Sequence, residues 1–152
     1  MEGIKTRRGQ VTIMKIKESL AVGSFAFFGG ILRYLIGLVL NQPTGFPYGT
    51  LCVNLIGAFC LPFLMRYIVS RLHLSDQLAL AIGTGFFGAF TTFSSFSVDA
   101  IRLVNQQQWS AFAWYVGISM VGGVLLSLLA DYWAVKLTQS TEEEGDVQWP
   151  FY

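Results

Sequence analysis

The chain has 152 residues, of which 53% are hydrophobic and only 12% charged, with a mean hydropathy of +0.53. Water-soluble domains carry about 25% charged residues, so this composition excludes an ordinary soluble fold and points to one membrane-embedded unit. No Asp, Glu, Lys or His lies deep in an apolar run. There is also no Gly-rich phosphate loop, metal-ligand cluster or nucleophile–base pair, which excludes the common enzyme chemistries and a proton-coupled exporter that would need a deep carboxylate.

Residues 1–18 form a basic arm with Lys5, Arg7, Arg8, Lys15 and Lys17. A first span is predicted over 19–40; no small-residue cleavage site follows its apolar stretch, so it is read as a retained helix rather than a removed signal. Its one charge, Arg33, reads two ways. It reaches toward the interface or bonds the last carbonyls of its own helix, or it offers positive charge to an anion at the mouth of a pore.

Tyr34 to Met65 contains no charged residue and supplies a second span, predicted over 49–70. Within PYGTLCVNLIG, Thr50, Asn54 and Gly57 share one helix face by their i, i+4, i+7 spacing. Asn54 is either a hydrogen-bonding link between helices or a donor to a passing ligand. Pro62 should kink this helix or release a carbonyl. Cys52 and Cys60 lie roughly 12 Å apart along it, too far to bond to each other. His73, alone in the following connection, is expected to have no ligand role.

The third span, predicted over 77–105, contains GTGFFGAFTTFSSF. Gly83, Gly85, Gly88 and Ala89 allow close helix approach. The hydroxyls of Thr91, Thr92, Ser94 and Ser95 can compete with backbone hydrogen bonds. Either the helix breaks there, or it continues with its hydroxyls bonded back onto it. A break would leave carbonyls of the first half available to a small cation, and N–H groups near Phe93 to Phe96 available to an anion. Phenyl ring edges, hydroxyl hydrogens and the Asn54 amide carry only partial positive charge, so they would hold an anion loosely enough to release it.

The fourth span, predicted over 110–137, carries Tyr115, Ser119, Gly122 and Gly123 on roughly one stripe. Asp99 and Asp131, near span ends, are expected to face water. The acidic segment Thr141 to Asp146, within a tail over 139–152, is expected to be disordered. The short connections make neighbouring helices antiparallel, an all-α membrane fold of four helices. Eight Lys and Arg fall on the side of the two termini against Arg102 on the other, so both termini are expected in the cytoplasm of a cell-membrane protein.

GGILRY (29–34), PYGTLCVNLIGAF (47–59), GFFGAFTTFSSF (85–96) and the Tyr115-x-x-x-Ser119 spacing cover all four spans in order. Through them the chain resembles the Fluc (CrcB) family of microbial fluoride channels. The resemblance implies a third helix broken at the TTFS motif, an antiparallel dimer, two fluoride pores along its interface, and passive export that limits fluoride toxicity. It implies pore roles for Phe93, Phe96, Asn54, Arg33, Thr92, Ser95, Tyr115 and Ser119. It also implies a structural, untransported Na⁺ held by the backbone carbonyls of Gly88 and Thr91. The family's second glycine at the break is here Ala89, its usual alanine after Gly29 is Gly30, and a glycine near the end of the second-helix motif is Pro62. The one-sided charge suits a chain that inserts one way and pairs with an oppositely oriented relative, so an obligate half of a heterodimeric channel is a second reading. A small non-channel transporter or a structural membrane subunit are others.

Overall fold

The computed structural model describes residues 2–41, 45–68, 71 and 74–145, with side chains described for 15–41, 45–67, 71 and 74–139. His73 and the tail beyond Gly145 lie outside these residues, as do the side chains of Lys5, Arg7 and Arg8. Helix α1 runs over Glu2–Leu40 and α2 over Tyr48–Phe63, continued by a π-helical segment Leu64–Ile68. Helix α3 comprises Asp76–Leu80, a π-helical segment Ala81–Phe87 and a last turn Gly88–Phe90. Helix α4 is Phe93–Asn105, and α5 runs continuously through Trp109–Gly117, Ile118–Gly122 and Gly123–Gly145.

Among the described residues, four stretches are long and apolar enough to cross a bilayer: Lys15–Leu40, Tyr48–Tyr67, Asp76–Asn105 and Trp109–Gln139. With no water to bond their backbones, such segments satisfy them internally as helices. The chain is a multi-pass membrane protein. Two boundaries differ from expectation. The arm ahead of residue 19 is continuous with the first span, since α1 begins at Glu2. The start of the acidic tail is helical, since α5 continues to Gly145. Helix α2 passes through Pro62, which has no N–H to give to Ala58, and widens into π-helical turns two residues later.

Glycines set how closely α1 meets α3. A Cβ on Gly85 would stand 2.6 Å from the Val22 carbonyl oxygen, and one on Gly29 would overlap the Phe86 carbonyl. Two small cores follow: Leu51, Leu103 and Tyr115 between α2, α4 and α5, and Val53, Phe87 and Phe90 between α2 and α3. Only 6% of the most apolar window of the first or fourth span is buried, against 28% and 22% for the second and third. The second and third spans therefore form the inner layer that carries the site.

Helix α4 ends in a reversal at Gln106 to Gln108. Gln108 N–H donates to the Leu103 carbonyl at 2.9 Å and Gln107 N–H to the Val104 carbonyl at 2.9 Å, a Schellman closure. Its left-handed position, usually glycine, is Gln107 at φ 58°. Gln107→Gly should therefore stabilise the protein by about 1 kcal/mol by removing the Cβ clash of that conformation, measured as a higher thermal midpoint in detergent.

Candidate functional site

The helix breaks at the hydroxyl run, which decides between the two alternatives that the residues leave open. Thr91 (φ −79°, ψ 156°) and Thr92 (φ −151°, ψ 118°) are both extended. β-Branched residues favour this backbone region. No positive φ occurs at the break, so Ala89 there needs no glycine-like backbone.

Breaking a helix inside an apolar layer strands backbone groups that cost several kcal/mol each if left alone. Side chains take them up. Thr92 N–H donates to Asn54 Oδ1 at 2.8 Å, and Asn54 Nδ2 donates to the Thr92 carbonyl at 3.0 Å. The Asn54 amide thus substitutes for a backbone neighbour, and its second N–H remains for the groove described below. Thr92 Oγ1 accepts from Ser95 N–H at 3.1 Å, capping α4. Thr91 N–H and Thr91 Oγ1 both donate to the Phe87 carbonyl, at 3.0 and 2.8 Å. Arg33 Nε donates to the Ala89 carbonyl at 3.1 Å and a terminal nitrogen to Ser95 Oγ at 3.4 Å. Arg33 therefore bonds one carbonyl and one hydroxyl of the broken span, rather than the last carbonyls of its own helix or the interface. Gly57 completes the α2 face: a Cβ there would overlap Thr91 Cγ2. Thr50, Asn54 and Gly57 all turn toward the broken span, as their spacing predicts.

Asn54, Gly57, Thr91, Thr92, Phe93, Phe96, Ser119 and Met120, with Ala58 and Leu61, line an open groove of about 400 Å³. None of these residues is charged. Phe93 is 77% exposed, and its ring lies 5.8 Å from that of Phe96. Phe96 stacks on Tyr115 at 5.2 Å. The Ser119 hydroxyl is buried and makes no hydrogen bond among the described residues, while the buried Tyr115 hydroxyl, four residues earlier on α5, faces Thr50 and Asp99. Gly88 lies apart from this groove on an exposed face, where a Cβ would meet nothing within 4 Å.

A second polar cluster was not legible in the sequence. Thr50 Oγ1 donates to Asp99 Oδ2 at 2.7 Å, and Arg102 pairs with Asp99 Oδ1 at 3.3 Å. Asn41 Nδ2 reaches Thr50 Oγ1 at 3.4 Å while Asn41 Oδ1 accepts from Gly49 N–H at 2.7 Å, capping α2. Asp99 is thus buried, correcting the expectation that it faces water. Its i, i+3 spacing from Arg102 was the available signal, but burial depends on how α4 turns against α2. Asp131, by contrast, is about half exposed and pairs with Arg66 at 3.2 Å. Between the break and the Asn41–Thr50 pair lies a cavity of about 240 Å³ that Arg33, Thr92 and Ser95 share.

Because the Asp99–Arg102 pair is mostly buried, Arg102→Met should cost about 3 kcal/mol by leaving the carboxylate uncompensated. Asp99→Asn should cost less, since an amide still accepts from Thr50 and leaves no lone carboxylate. Thermal unfolding of the two variants in detergent checks the order.

The model of the family described as CrcB-like protein, Camphor Resistance (CrcB), matches residues 20–130. A protein of Latilactobacillus sakei named fluoride-specific ion channel FluC 1 is 96% identical over 131 residues, covering 86% of this chain and 97% of that one. A Bacillus cereus protein of the same name is 40% identical over 129 residues, covering 84% and 94%. A Listeria monocytogenes protein named fluoride-specific ion channel FluC 2 is 49% identical over 107 residues, covering 70% and 82%. All of the broken third helix, and the α2 and α5 residues that face it, fall inside the matched region, and the chain belongs to the CrcB family.

Proposed function

We propose that the chain is a subunit of a fluoride-selective channel that lets fluoride leave the cell passively. One observation carries this reading. The groove beside the helix break presents neutral hydrogen-bond donors and aromatic rings with no full charge, and the buried Ser119 hydroxyl that lines it makes no hydrogen bond among the described residues. The names of the 96% and 40% identical relatives point the same way.

A small, strongly hydrated anion needs replacement donors to enter and a weak hold to leave. The Asn54 amide, with one N–H committed to Thr92, offers its other. The Ser119 hydroxyl and then the Tyr115 hydroxyl continue the donor line along α5, and Phe93 and Phe96 offer ring edges between them. Thr92 and Ser95 hold the start of α4, whose remaining N–H groups favour negative charge. A carboxylate or a lysine in this groove would repel or trap the anion; the groove holds neither.

The groove is open along one side, and Phe93 and Gly88 are exposed on a surface that one subunit does not cover. This favours a pore completed by a second, antiparallel subunit. The carbonyls of Gly88 and Thr91 are neutral, hard oxygens at the end of a half-helix, and the open space at Gly88 leaves room for a partner's carbonyls. This donor set fits Na⁺, which would supply a fixed, untransported positive charge. The eight-to-one distribution of Lys and Arg favours cytoplasmic termini and hence an oppositely biased relative as the second subunit.

Purified chain in fluoride-loaded liposomes, alone or together with an oppositely oriented relative, should release fluoride but not chloride, read with ion-selective electrodes. Phe96→Ile, which keeps bulk but removes the ring, and Asn54→Asp, which removes a donor and adds negative charge, should each slow release roughly tenfold or more. Wild-type release in both variants would refute the assigned path. Flux only after a related chain is added would assign the second subunit to that relative. Protease accessibility of tags at each terminus in intact cells should find both on the cytoplasmic side; tags equally accessible from both sides would contradict the fixed orientation.

A further inference from the structure

We propose that Arg33 is a positioning residue that holds the two half-helices of the broken span in register, and not a free charge that gathers anions. Its guanidinium is committed at both ends. Nε donates to the carbonyl of Ala89, in the last turn of α3, and a terminal nitrogen donates to Ser95 Oγ, in the first turn of α4. One side chain thus spans the break from a third helix. The Ala89 carbonyl is among those that lose their helical donor when α3 stops, and a cation is the favoured partner at that helix end.

The backbone leaves Arg33 little latitude. One turn earlier on α1, Gly29 lies against the Phe86 carbonyl so closely that a Cβ would overlap it. Phe86 is one turn before Ala89 on α3. The α1–α3 spacing is therefore set by contact at Gly29, and Arg33 meets Ala89 as the next turn of the same seam. The planar fork suits two acceptors at fixed separation, whereas a lysine ammonium is a single point charge on a flexible stem. The Asn54 amide ties Thr92 to α2 and Arg33 ties Ala89 and Ser95 to α1, so the break is fastened from both sides.

This inference rests on the channel reading for one of its two tests. The first follows fluoride release from liposomes against fluoride concentration for wild type, Arg33→Lys and Arg33→Gln. A positioning role lowers the maximal rate about tenfold in both variants with the half-saturating concentration nearly unchanged, and added salt does not alter the loss. A charge that gathers anions would instead raise the half-saturating concentration, lose its effect at saturating fluoride and be rescued by lysine; any of these overturns the proposal. The second test needs no transport. Amide hydrogen exchange in detergent should accelerate about tenfold at Thr91 to Ser95 in both variants while α5 exchanges as in wild type. Unchanged exchange at the break, or equal acceleration throughout, also overturns it. A wild type that releases no fluoride either alone or with an oppositely oriented relative refutes the channel reading, while the exchange measurement still decides the role of Arg33.

Discussion

The paired hydrogen bonds between the Asn54 amide and the Thr92 backbone are what the rest of the site depends on. A helix interrupted within an apolar layer exposes peptide groups with nothing else to bond. A single side-chain amide, acting as donor and acceptor together, supplies the missing neighbour from α2. With Thr92 held in this way, its hydroxyl caps α4, and Phe93 and Phe96 are directed along the groove. Gly57 lets α2 come close enough for the Asn54 amide to reach, because any side chain there would meet Thr91.

The second organising constraint is the placement of charge. The full charges near the site are all engaged: Arg33 with the Ala89 carbonyl and Ser95, Asp99 with Thr50 and Arg102. The groove itself keeps only partial charges. This separation follows from the cost of charge in a low-dielectric medium. Ion pairs and charge-assisted bonds brace the helices, while neutral amide, hydroxyl and ring groups face the open path. The Ser119 hydroxyl, buried in the groove lining without a hydrogen bond among the described residues, stands apart from that rule of satisfaction.

Much of this arrangement was readable one helix at a time. Long uncharged runs marked four spans because bilayer thickness sets their length. The crowding of Thr91, Thr92, Ser94 and Ser95 marked where a break could fall because hydroxyls compete for backbone bonds locally, but whether the helix broke or continued was left to the tertiary structure. The spacing of Thr50, Asn54 and Gly57 put them on one face, and that face does meet the broken span. Arg33 was harder. Its partners lie 56 and 62 residues away, and no local pattern distinguishes a guanidinium that reaches another helix from one that reaches the interface. Asp99 was misread for a related reason: proximity to a span end says nothing about which way the side chain turns.

The amino-acid sequence by itself determined the membrane class, the number of spans, the position where a break could occur and the neutral character of the residues around it. These are consequences of hydropathy, helical period and side-chain chemistry, all of which act over a few residues. Only the tertiary structure decided that Asn54 pairs with Thr92, that Arg33 spans both half-helices, that Asp99 is buried against Thr50, and that Ala89 needs no glycine-like backbone. Those outcomes depend on how helices distant in sequence rotate and approach one another, which is set by the packing of surfaces such as Gly29 on Phe86 and Gly57 on Thr91.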